Sequence, residues 1–72
     1  MRDLPIRGES IRLGQALKLS GLAESGGEAR AVVEDGAVTV NGEVETRRGR
    51  QLRHGDVVAV GDDLLRIEAS AG

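Results

Sequence analysis

Basic side chains are the most concentrated chemistry in this sequence. The run Arg47-Arg48-Gly49-Arg50-Gln51-Leu52-Arg53-His54 carries four arginines and no acid, in a chain whose formal net charge is −2. Guanidinium groups stay charged at every physiological pH and present planar forks of donors that match phosphate and carboxylate oxygens. Local charge thus opposes global charge, as it would in an anion-binding loop. Spacing alone favours the blander reading, a solvated loop kept soluble by its arginines, because basic clusters are common and nonspecific.

A second candidate is Ser25-Gly26-Gly27 at the start of a helix. Glycines at the first helical positions leave backbone amides accessible, and the positive end of the helix dipole favours an anion such as phosphate. The competing explanation is steric, with small residues letting two helices approach closely, and Glu28 already uses some of the positive potential at this helix start. Arg30, one turn further on and outside the apolar stripe, and Lys18, the only lysine, are either further phosphate contacts or solvated charges.

Catalytic chemistry is poorly supplied. His54 is the only histidine, it stands in an expected turn, and no cysteine is present. A turn or phosphate contact suits it better than acid-base work. Asp62-Asp63 reads as turn punctuation, because adjacent carboxylates in a strand point to opposite faces. No catalytic residue, metal site or cofactor is expected.

The elements that must position these groups are legible from local signals. Ser25 and Glu28 have the spacing of a capping box, and Ala29, Val32 and Val33 fall on one helical face. Gly36 supplies the stop. Val38-Thr39-Val40 alternates as a strand does and Asn41-Gly42 marks a hairpin. Keeping Val38, Val40 and Val44 on one face asks for a three-residue connection or a bulge there, since a two-residue loop would oppose Val40 to Glu43 and Thr39 to Val44. Upstream, Leu13, Ala16 and Leu17 suit a short helix ended by Ser20-Gly21, with Leu22 placed between the helices to plug the core. Leu4 and Ile6 suit an edge strand that tolerates Pro5, and Ile11 and Leu13 an extended piece. Downstream, His54-Gly55-Asp56 is a turn, Val57 to Val60 a strand, and Leu64 to Glu68 its antiparallel partner after Gly61-Asp62-Asp63.

The order LGQALKL, SGGEAR, VTVNGE, RRGRQL, GDVV resembles the small stand-alone bacterial proteins built on the S-four type RNA-binding domain, named after the fourth protein of the small ribosomal subunit. The resemblance is strongest over residues 11 to 60. It implies an α+β, S-four-like alpha-L fold, in which two short helices followed by a strand form the RNA-binding unit. Two short helices pack there on a small, twisted, mainly antiparallel sheet. Larger members usually carry an arginine or lysine just after the serine that opens the second helix, where this chain has Gly26. The implied partner is structured or double-helical RNA of the ribosomal or transfer class. The expected binding set is Lys18, Ser25, Gly26, Gly27, Arg30, Arg47, Arg48, Arg50 and Arg53.

Composition narrows the mode of binding. The chain has 72 residues, 39% of them hydrophobic, and no aromatic side chain. One aliphatic-cored domain over residues 1 to 72 is expected. Binders of unstructured strands stack bases on aromatic rings, so a chain without them is expected to read phosphates and 2′-hydroxyls of a folded RNA. The charged beginning of the chain has no apolar signal region and no run is long enough to span a bilayer, which makes a cytoplasmic protein the expectation; a monomer is favoured, with the oligomeric state left open by the sequence. Residues 69 to 72 are expected to fray, and Arg2 and Arg7 to lie in a mobile terminus. Two other readings compete. VNGE followed by an arginine, and later GDVVAV, also resemble the ubiquitin-like sulfur carriers, which act through a C-terminal Gly-Gly where this chain reads Ala71-Gly72 and which have one helix before the hairpin rather than two. A protein-interaction module with solubilising arginines is the third.

Overall fold

The computed structural model describes residues 1–69, so Ala71-Gly72 and most of the expected frayed tail lie outside the described residues. In chain order the elements are β1 (Arg2–Ile6), β2 (Ser10–Arg12), α1 (Leu13–Leu19), α2 (Gly26–Glu34), β3 (Val38–Val40), β4 (Glu43–Val44), β5 (Gln51–Arg53), β6 (Val57–Val60) and β7 (Asp63–Ala69). Five strands form one sheet in the order β1-β7-β6-β3-β4, and β2 and β5 form a separate two-stranded ladder. All neighbours are antiparallel except β1 and β7. The expected α+β architecture, two short helices with a mainly antiparallel sheet, is the one found.

The core is aliphatic throughout. Leu13, Ala16 and Leu17 of α1 and Ala29 and Val33 of α2 share one buried cluster with Val38, Val40, Val58, Leu65 and Ile67 of the sheet and Leu52 of the ladder. Leu13, Ala16 and Leu17 are the i, i+3, i+4 face of a two-turn helix, and Ala29 and Val33 are one turn apart. α2 ends in a Schellman motif: Ala37 N–H donates to Val32 O at 3.2 Å and Gly36 N–H to Val33 O at 3.1 Å, with Gly36 at φ 79°.

The structure corrects four expectations. Thr39 faces Val44 and Val40 faces Glu43, so the hairpin has a two-residue loop and no bulge. Asn41 and Gly42 both adopt positive φ, 53° and 87°, as the type I′ turn requires. A bulge would bury Val44, but Val44 is exposed; the buried residue is Glu45, which follows β4. The turn is fixed by Asp56, whose Oδ1 accepts Asn41 Nδ2 at 3.0 Å, while Asn41 Oδ1 accepts Val57 N–H at 2.9 Å.

Second, the arginine-rich run is loop only as far as Arg50; Gln51 to Arg53 pair with β2, and Leu52 is fully buried. Third, the fully buried residue between the helices is Ala23, whose N–H closes α1 on Leu17 O at 3.0 Å, while Leu22 packs against the core but is only half-buried. Fourth, Arg2 does not lie in a mobile terminus. β1 pairs with β7 along its whole length, from Arg2 opposite Leu65 to Ile6 opposite Ala69, which also places Ala69 in the sheet. β1 is nonetheless the edge strand that Pro5 permits.

Candidate nucleic-acid interface

The arginine loop is docked onto the start of α1 by its backbone. Arg12, the residue before α1, makes no side-chain cap. Instead Leu13 N–H donates to Arg50 O at 2.8 Å and Gly14 N–H to Arg48 O at 2.9 Å, so two of the amides that a helix start leaves unpaired find acceptors in the loop. A Cβ at Gly14 would be in ordinary van der Waals contact with the loop, 3.5 Å from Arg48 Cβ.

Glu45 holds the loop from the other side. Its Oε2 accepts Arg47 N–H and Nε, each at 3.1 Å, and its Oε1 accepts Arg50 Nη1 at 2.8 Å. The carboxylate is almost wholly covered, with 8% of its side chain exposed. Hydrogen bonds from the Arg47 side chain, then from Arg50 and the Arg47 amide, hold its pKa down to about 2. In return Glu45 raises that of Arg47. The loop therefore sorts its own arginines: Arg47 and Arg50 neutralise Glu45, and Arg48 makes no ion pair among the described residues.

α2 begins differently. Ser25 is its N-cap, with Oγ accepting Glu28 N–H at 3.1 Å. Gly26 and Gly27 do not relieve crowding between the helices. A Cβ on Gly26 would meet nothing within 4 Å, and one on Gly27 only the Oγ of its own cap at 3.9 Å. The steric explanation for these glycines is thereby removed.

A cleft of about 250 Å³ lies between the two helix starts and the loop, lined by Arg12, Gly14, Gln15, Lys18, Gly26, Ala29, Arg48 and Gly49. Of the expected set it brings together Lys18, Gly26 and Arg48. Three cations and no acid face it, and none of the three is in an ion pair among the described residues. The other expected residues lie outside its lining. Arg30 pairs with Glu34 at 3.0 Å on the exposed side of α2. Arg53 is exposed on β5, its N–H donating to Asp56 Oδ2 at 2.7 Å. Burial opposes the ionisation of Asp56, but the Arg53 amide and the Asn41 carboxamide outweigh it and lower its pKa. His54 Nδ1 accepts Ala69 N–H at 3.2 Å.

Arg12 and Gln15 were missed from sequence. Alternation around Ile11 and Leu13 signals that Arg12 points away from the core but not what it points toward. Glu45 was missed as well, because a carboxylate is read as surface unless its cationic partners are known. Among the described residues no group of three or more histidines or carboxylates is placed to hold a metal ion. No helix among them is long and apolar enough to cross a membrane.

The S4 domain family profile matches residues 4–68. The chain is 48% identical over 52 residues to RlbA of Bacillus subtilis, named as a ribosome maturation protein, covering 72% of this chain and 73% of the relative. It is 34% identical over 59 residues to YbcJ of Escherichia coli, named as an RNA-binding protein, covering 82% of this chain and 84% of the relative. Among solved structures, the 30S ribosomal protein S4e from Thermoplasma acidophilum aligns with a TM-score of 0.63 at 22% identity, covering 82% of this chain. The match spans 31% of that protein, about a third of its length, and is a likeness of fold.

Proposed function

We propose that this chain, which belongs to the S4 domain family, binds structured RNA in the cleft between its two helix starts and the arginine loop. The observation that carries this is the convergence of Arg12, Lys18 and Arg48 beside Gly26 in a cleft that no acid lines. Three cations and an amide-bearing helix start suit the phosphates of a folded strand, which carry charge and shape without sequence. The names of the relatives, one for ribosome maturation and one for RNA binding, support RNA of the ribosomal class. In this reading Arg48, Lys18 and Arg12 touch phosphate, and Gly26 and Gly27 donate their amides. Arg47, Arg50 and Ser25 act mainly by position: the two arginines hold the loop through Glu45, and Ser25 caps α2. Arg30 and Arg53 are outer contacts. The chain works as a monomeric, non-catalytic cytoplasmic domain.

Three to four phosphate contacts predict a slope of about −3 in log K against log salt. A folded RNA hairpin should bind more tightly than an unstructured strand of equal length, because no aromatic ring is present to stack bases. Equal affinity for the two, or a slope near zero, would remove the reading.

A further inference from the structure

The cleft does not end at Arg12. Arg12 and Gln15 also line a second, larger concavity of about 750 Å³, which runs from the middle of α1 across the β2–β5 ladder to the end of β1. Its other walls include Pro5, Arg7, Leu19 and Gln51. Among the described residues no acid lines either concavity. Arg7, like Arg12, makes no ion pair among the described residues. Register extends the basic character further: Ser10 is opposite Arg53 and Arg12 opposite Gln51, so all four side chains stand on the outer face of the ladder while Ile11 and Leu52 face the other way.

The groove differs from the cleft in its chemistry. Phosphate needs only donors, yet here Gln51 joins the Gln15 that the cleft shares, and the two amides, each both donor and acceptor, stand beside apolar surface that the protein leaves uncovered. Leu19 is 65% exposed although it closes a helix whose other leucines are fully buried. Amides that both give and accept, aliphatic contact and planar guanidinium groups match an unpaired nucleotide, whose base edges and faces are open as those of a helical region are not.

We infer that this groove receives an unpaired strand that extends from the folded RNA held in the cleft. Its phosphates pass Arg12 and Arg7, and a base lies against Leu19 within reach of Gln15 and Gln51. The inference rests on the RNA reading above and narrows it from any folded RNA to one with a single-stranded flank. Charge complementarity selects this occupant: a polyanion already docked in the cleft is guided by Arg12 into the groove that shares it.

The test compares three RNAs by fluorescence anisotropy: a blunt hairpin, and the same hairpin with four unpaired nucleotides added at its 5′ or its 3′ end. One extension is expected to bind roughly tenfold more tightly than the blunt form and to steepen the salt slope by about one. In Arg7→Ala/Leu19→Ser, whose changed side chains are exposed and lie outside the core, the gain should vanish while the blunt hairpin binds as before. The inference is overturned if neither extension helps, or if the gain survives in the double variant. Binding of neither extended nor blunt RNA would overturn the underlying RNA reading with it. A glutamate-rich octapeptide that displaces the extension but not the blunt hairpin would assign the groove to an acidic protein segment instead.

Discussion

The two helices solve the same problem at their starts in opposite ways. α1 closes its first two amides on carbonyls of Arg50 and Arg48, which are distant in sequence. α2 closes the amide of Glu28 on Ser25, three residues away, and among the described residues no bond engages the amides of Gly26 or Gly27. A start capped by a remote loop spends its positive end on the fold, and what it gains is a fixed loop. A start capped by one local side chain keeps its leading amides for an anion. The cleft lies where both arrangements meet, so Arg48 is presented by the first helix and faces the open end of the second.

The contrast can be broken from the side of the loop. Leu52 is fully buried under the ladder that ends the loop, and Leu52→Ala should cost about 2–5 kcal/mol by transfer and cavity terms. Denaturant unfolding would measure this. Hydrogen exchange should show the Leu13 and Gly14 amides losing protection before that of Glu28. Equal loss at all three would mean that the two starts are not held independently.

Acid should act on the same side. Glu45 titrates at about 2 in the folded chain against an ordinary 4.5, so between those pH values the unfolded chain binds more protons and stability falls as pH drops. Its contribution is complete above about 4.5 and lost toward 2. Glu45→Gln should flatten that part of the stability profile measured by thermal melts. An unchanged profile would show that Glu45 does not hold the loop. The smallest effect belongs to the other start, where Ser25→Ala should cost about 1 kcal/mol. Protection at Leu13 and Gly14 should survive it; its loss would tie the two caps together.

What was legible in the sequence follows the range of the signal. The Ser25 cap, the Gly36 stop, the Asn41-Gly42 turn and the β6–β7 pairing each depend on residues a few positions apart, and each is found. The parallel pairing of Arg2–Ile6 with β7 joins the two ends of the described chain and has no local signature. The hairpin loop departs from its sequence reading for a physical reason. An apolar Val44 reads as core, yet the position covered there is Glu45, which tolerates burial only because Arg47 and Arg50 satisfy its oxygens. That same pairing makes a uniform basic run unequal. Sequence shows four arginines; only contacts across the loop separate Arg48 from Arg47 and Arg50.

This inequality is the claim most open to direct test. Arg48→Ala and Arg47→Ala change the net charge of the chain equally, and Arg50 keeps Glu45 paired when Arg47 is removed. Affinity for a hairpin RNA should be measured for both across a salt series. The expected result is that Arg48→Ala flattens the slope of log K against log salt by about one, while Arg47→Ala leaves it close to that of the unaltered chain. Equal flattening by the two, or a larger effect from Arg47→Ala, would contradict the account.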